Sequence, residues 1–377
     1  MVILMLSGAG EGTAQGYGSK HLPGSVYSGR QGSFHVQGIA VDEANGFVYF
    51  SFTNKLIKTD LSGKLIGSVV GFTGHLGDIV FDPETNKIYG SLEFKNDAIG
   101  RGISKKLGVK NSNLVNFYVA IFECGRIVKP DMNVDEGDLL RTVWLKEPAK
   151  DYNAEVYDGR RLVEHRYGCS GIDGITIAPM MGNKKSSKRY LYVAYGIYGD
   201  TSRSDNDHQV MLQYDLGEFV RFGQVLYQEN PHHSGPKAPL SKYFLRTGNT
   251  RYGVQNMAYD SHSGNFYLAV YKGAKKQFPN YDLFVVNGSK KPYKSDIMEN
   301  NKTTKVRTLS LLNAGNFDRV SQVWGWYFNW GSTGLCPLKD GLFYISHNRK
   351  SENGLQETTI YKYKWIGDAE EAFSIVK

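Results

Sequence analysis

The sequence predicts an all-β fold, a five-bladed β-propeller of four-stranded antiparallel blades, and three observations carry that expectation. A six-residue phrase recurs five times, each copy runs into a strand-turn-strand pattern, and two further strand-like runs follow in each unit. A repeat of this length sets the architecture, because one unit can bury its apolar faces only against the next. The copies are Phe34-His35-Val36-Gln37-Gly38-Ile39, Gly74-His75-Leu76-Gly77-Asp78-Ile79, Tyr167-Gly168-Cys169-Ser170-Gly171-Ile172, Tyr252-Gly253-Val254-Gln255-Asn256-Met257 and Trp330-Gly331-Ser332-Thr333-Gly334-Leu335. In register they read as usually an aromatic, then His or Gly, any residue, a small or polar residue, Gly, Asp or Asn, and an aliphatic.

After the phrase, Ile39-Ala40-Val41-Asp42 turns through Glu43 to Gly46 into Phe47–Phe52, and Ile79-Val80-Phe81-Asp82 turns through Pro83 to Asn86 into Lys87–Leu92. The fourth copy does the same through Ser261 to Gly264 into Phe266–Val270, and the third through a larger turn, Met180 to Lys188, into Tyr190–Ala194. Gly, Asn and Asp at the bends and β-branched or aromatic residues on either side are hairpin chemistry. Third strands are expected at Leu56–Asp60, Phe117–Phe122, Val210–Tyr214, Leu283–Val286 and Thr359–Tyr363. Fourth strands are expected at Leu65–Val69, Leu140–Trp144, Gly223–Tyr227, Val306–Ser310 and Ala372–Val376. Short helices fit only near Asp97–Leu107 and Pro236–Leu245.

Composition agrees. Of 377 residues, 41% are hydrophobic and 13% aromatic, with 25 Tyr and 43 Gly, which suits many short strands joined by tight turns. Three cysteines, Cys124, Cys169 and Cys336, make no even disulfide framework and no CxxC pair. No run approaches the length of a membrane-spanning helix. Residues 1–16, with Val2-Ile3-Leu4-Met5-Leu6 and then Thr13-Ala14-Gln15-Gly16, resemble the apolar core and small-residue exit of a secretory leader without its basic start. An exported protein, secreted or periplasmic, is therefore expected, with 17–377 as a single propeller domain. The alternative is an ordinary first strand.

The chain lacks a Walker loop, a GxGxxG after a strand, HExxH and GxSxG, so nucleotide hydrolysis, dehydrogenation and those hydrolase classes have no support. The net charge of +8 favours anionic partners without choosing among them. In a propeller, the loop leading into each innermost strand and the loop joining strands two and three open on one face. The latter are the longest here: Glu93–Asn116, Tyr195–Gln209, Lys272–Asp282 and His347–Glu357. Long loops on one face of a rigid frame are the usual seat of binding.

That face collects the candidate residues. Blade one offers His35 and Gln37; blade two His75, Asp78 and Glu93; blade three His165, Arg166, Tyr167, Asp173, Tyr195 and His208; blade four Arg251, Tyr252, Gln255, Asn256 and Tyr271; blade five Trp330 and His347. The tripeptide Arg166-Tyr167-Gly168 repeats as Arg251-Tyr252-Gly253 in the same register. Two guanidinium forks entering one funnel would suit a carboxylate, sulfate or phosphate, whereas each Arg stacking on its Tyr would be purely structural. His35 and His75 share one repeat position and could hold a metal or supply a base, or could be hydrogen-bonded strand residues. Asp200, Asp205 and Asp207 lie in an oxygen-rich loop where a divalent metal such as calcium could bind, although the spacing is not that of an EF-hand and a solvated loop is the plain alternative.

The generic run Gly-Ile-x-x-Asp followed by a hairpin resembles secreted bacterial propeller proteins, including lactonase-like and sugar-binding members, over roughly residues 34–377. The Arg, Tyr and His of the funnel are similar to those of propeller-type polysaccharide lyases, which act on uronate-containing glycans. Those lyases commonly have more blades and a His pair one hairpin apart, whereas His35 and His75 are a whole blade apart. An acidic polysaccharide or oligosaccharide is the expected partner, with no nucleic acid and no membrane span. The preferred expectation is β-elimination, with Arg166 and Arg251 neutralising the uronate, a His or Tyr removing its proton and a second Tyr protonating the leaving oxygen. The alternatives are a non-catalytic propeller that binds a sugar or anionic ligand, and a glycoside hydrolase using Asp78, Glu93 or Asp173.

Overall fold

A computed structural model describes residues 19–376 except 110–113, 137, 184 and 300. The segment 1–16 lies outside the described residues. Five sheets form the five blades of a β-propeller, and each repeated phrase leads into or opens the innermost strand of its blade: Val36–Asp42, His75–Asp82, Cys169–Ala178, Arg251–Asp260 and Leu335–Pro337. These strands pack on one another around the axis, so Val36–Asp42 is buried along its whole length.

The phrase encodes two local features. In the first four blades the ladder slips at it, between Val36 and Gly38, Leu76 and Ile79, Cys169 and Gly171, and Val254 and Asn256. Such bulges bend a strand and re-aim its side chains. The conserved spacing to the next Asp sets the hairpin: Asp42, Asp82 and Asp260 accept from the backbone N–H of Asn45, Glu84 and His262 at 3.1, 3.1 and 3.0 Å. Short carboxylates that bond the chain two or three residues on fold a turn without help from the core.

The third strands lie where the sequence places them, at Lys55–Asp60, Asn116–Glu123, His208–Asp215, Leu283–Val286 and Gln356–Trp365. The fourth strands divide. Leu65–Val70 and Leu140–Trp144 hold that position in blades one and two. In blade three it belongs to Ser241–Arg246, within a stretch where a short helix could have fitted, while Gly223–Tyr227 contributes only a bridge from Gln224 to Thr142 of blade two. Val306–Ser310 overlaps the second arm of a hairpin, Tyr293–Glu299 with Lys302–Thr308, that adds in parallel to Ser241–Arg246 and so widens blade three to six strands. Blade four retains three strands, edged by single bridges from Val286 to Leu311 and Leu283 to Trp326.

Blade five closes the ring with both ends of the described chain. Ser25–Tyr27 and Phe373–Ile375 pair with the same strand, Gln356–Trp365, end to end along its outer edge. Helix α1 (Ala98–Leu107) stands in the long loop of blade two, capped by Asp97, whose carboxylate accepts from Gly100 N–H, and α2 (Lys146–Tyr152) follows that blade's last strand. Among the described residues no helix is long and apolar enough to cross a membrane.

Candidate functional site

The axis is a packed plug with a polar mouth. Asp78 lies at its centre, fully buried: Oδ1 accepts from Ile79 N–H, and Oδ2 from Ile175 and Met257 N–H, all at 2.9 Å. Burial pushes this carboxyl well above its ordinary pKa, against the three N–H groups that pull it down. Both oxygens therefore tie three blades together, which removes Asp78 from the carboxylates available for hydrolysis. Asn256 plays the matching part for blades one, four and five, donating to Gln37 O and Ser332 O and accepting from Leu335 N–H.

Above this plug the inner strands bring together a continuous polar floor. His75 Nδ1 lies 3.2 Å from Glu93 Oε1, which also pairs with Lys95 Nζ at 2.5 Å; Lys95 donates to Ser170 O, and Glu93 Oε2 accepts from Ile172 N–H. Gly171 at φ 122° lets that carboxylate approach, since a Cβ there would sit on Glu93 Oε2. Asp173 is held by Gln255 at 3.0 Å, and Gln255 also donates to Tyr252 O. Gln37 bridges His35 and Thr53, each at 3.2 Å.

The rim is aromatic. Trp330, 39% exposed, stacks on His347 with ring centres 3.7 Å apart and planes 7° apart, and His347 bonds Tyr363. Tyr252 meets Tyr271 edge-on at 6.4 Å, and exposed Arg251 pairs with Tyr271 in the same ladder. Lys95, Thr53 and Ser332 belong to this mouth although sequence reasoning missed them. Each lies at a strand end or inside a repeat, and the repeat register alone could have singled out Ser332.

Other expected residues lie elsewhere. Arg166 is engaged by Glu299 at 3.1 Å and Asp151 at 3.6 Å, and Tyr167 packs edge-on against Phe244 of blade three's outer part. The two Arg-Tyr-Gly tripeptides are thus not joined in one funnel. What they share is backbone: Tyr167 and Tyr252 have φ of 59° and 68°, and Gly168 and Gly253 follow at 68° and 75°. The duplication records a pair of left-handed residues rather than a pair of anion ligands. Tyr195 donates to Asp151, His165 lies between Tyr152 and Tyr198, and His208 meets Phe244 edge-on. The proposed calcium carboxylates face separate cations: Asp200 pairs with Arg161, Asp205 with Arg203 and Asp207 with Lys275. Among the described residues no three His, Cys, Asp or Glu side chains converge on a metal position.

The site's ionisation has a sign that can be measured. Burial, with Glu93 nearby, pushes Asp173 up to about 7, against His75 and Lys95, which lower it. The folded chain keeps this proton longer than the unfolded chain, so Asp173 favours the fold at acid pH and that contribution fades as pH climbs from about 4. Burial also pushes His35 and His208 down to about 4. Their contribution is complete above about pH 6.5 and is lost as pH falls toward 4. Asp173→Asn removes a group that favours the fold at acid pH, so the variant's urea midpoint is expected to fall more steeply than the parent's as pH drops from about 7 to 4. Parallel profiles in parent and variant would contradict this assignment.

No protein-family model matches the chain. No curated protein matches it. Distant structural similarities to propeller proteins do exist. The holo PQQ domain of pyranose dehydrogenase from Coprinopsis cinerea is 12% identical, over 86% of this chain and 81% of that one, with a TM-score of 0.38. A protein of unknown function from Bacteroides caccae is 10% identical over 81% and 88%, with a TM-score of 0.32. The Dos1 propeller is 14% identical over 91% and 82%, with a TM-score of 0.33.

Proposed function

We propose that this protein is a carbohydrate-binding propeller whose site is the channel mouth. One observation carries the reading: an exposed aromatic platform, Trp330 on His347, stands beside a floor of fixed donors and acceptors that includes Gln255, Asp173 and His75. Sugars present apolar C–H faces and equatorial hydroxyls, so they suit a flat ring above oriented polar groups. Export belongs to the same proposal. Processing near Gly16 would spare the ring-closing strand Ser25–Tyr27.

Trp330→Ala is expected to weaken oligosaccharide binding about tenfold, equivalent to ~1.4 kcal/mol, with little change in melting temperature. Calorimetric titration with neutral, amino and uronate oligosaccharides tests it. Binding of none of them, or unchanged affinity in the variant, would overturn the reading.

A second reading, elimination on a uronate glycan, is favoured by His75. Its Nδ1 faces the Glu93 carboxylate, and its Nε2 has no protein hydrogen-bond partner among the described residues. A carboxylate-oriented imidazole is a competent general base. In this form the exposed Arg251 at the rim would meet the uronate alone, in place of the Arg166 and Arg251 pair. New ultraviolet absorbance from an unsaturated product, abolished by His75→Gln, distinguishes turnover from binding.

A further inference from the structure

A cavity of about 960 Å³ lies between α1 and the outer edge of blade two and shares His75, Glu93 and Lys95 with the mouth. That volume is at the upper end for drug-sized ligands. Its floor includes the partly buried His75 with the buried Glu93 and Lys95. Its walls are apolar: Phe94 and Leu140 from blade two, Ile103 from α1, and Leu114. At its outer rim stand Asp135, Glu229 and Tyr227, all exposed, with Tyr227 at 70%.

Among its described lining residues, the charge of this cavity opposes that of the molecule. The chain carries +8, yet the described lining residues include four carboxylates, Glu93, Asp135, Asp138 and Glu229, against one ammonium, Lys95. Glu93 is matched by Lys95, and Asp138 pairs with Arg141 at 3.2 Å. Asp135 and Glu229 have no ion-pair partner among the described residues. A concave apolar wall concentrates the field of such charges and raises the local concentration of the opposite sign. An aromatic side chain beside two carboxylates adds a face for a cation.

We propose that this cavity is a second ligand site, taking an amphipathic cation: a small molecule with an apolar body and one ammonium group. The apolar body lies between Phe94, Ile103 and Leu140, and the ammonium lies toward Asp135 and Glu229. Because His75, Glu93 and Lys95 belong to both sites, occupancy here is felt at the channel mouth. The inference does not rest on the carbohydrate reading, since it uses neither the Trp330 platform nor Gln255.

The test uses the full chain and three probes of one shape: 4-phenylbutylamine, 4-phenylbutanol and 5-phenylpentanoate, each titrated by calorimetry and by proton NMR of the His75 ring. The amine is expected to bind about tenfold tighter than the alcohol, with the carboxylate weakest. The exposed double substitution Asp135→Asn with Glu229→Gln should bring the amine down to the alcohol's affinity. Ile103→Trp, which fills the cavity, should abolish binding of all three. An amine no tighter than the alcohol, amine binding that survives Ile103→Trp, or no binding of any probe would each overturn the proposal. Oligosaccharide affinity measured on the same variants shows separately whether the mouth reading stands.

Discussion

Asp78→Ala is expected to destabilise the protein by at least about 4 kcal/mol, since three buried N–H groups from three blades lose their acceptor together. At an unfolding entropy of ~2.1 cal/mol/K per residue, this is a fall in Tm of about 5 °C for a chain of this length. Asp78→Asn should not rescue it. An amide has one accepting oxygen, and its NH₂ would face at least one of the same N–H donors. Thermal unfolding followed by circular dichroism on both variants checks the assignment. An Asn variant that melts with the parent would show that the carboxylate is not the hub.

The second large effect is expected at the ring closure. Leu22 and Val26 are each only 2% exposed, Lys362 Nζ donates to Leu22 O at 2.5 Å, and Tyr344 OH donates to Pro23 O at 2.6 Å. Deleting the chain through Ser28 removes two buried apolar side chains at roughly 1.5–3 kcal/mol each. It also uncovers the edge of Gln356–Trp365, which then offers unpaired N–H and C=O groups to a second molecule. The truncated protein should elute as aggregate in size-exclusion chromatography. Val26→Asp, which keeps the backbone pairing, should melt lower yet stay monomeric. A monomeric truncation with unchanged melting would refute this account of closure.

The blade number and third strands were legible because the phrase and its following Asp encode a bulge and a turn, both local. The owner of an outer strand was not. Val306–Ser310 has strand character, but nothing in its own pattern says that it joins blade three in parallel instead of blade four. The mouth residues His35, Gln37, His75, Glu93, Asp173, Gln255, Tyr271, Trp330 and His347 could be gathered from repeat register alone. Arg166 could not be placed, because its register matches that of Arg251 while its carboxylate partners Asp151 and Glu299 come from α2 and a distant hairpin. Register fixes where a backbone sits; the partner of a long side chain depends on what packs from outside the repeat.

The hairpin of Tyr293–Glu299 with Lys302–Thr308 bears on the molecule's descent. Blade four's segment of the chain lends its outer arms to blade three, and blade five is completed from both ends of the described chain. A gene encoding interchangeable units could gain or lose one by slippage and still close a ring. Here excising or copying the stretch for blade three or four would leave one neighbour without an edge and the other with a surplus one. The ring can therefore tolerate change within a loop far better than change in its number of blades.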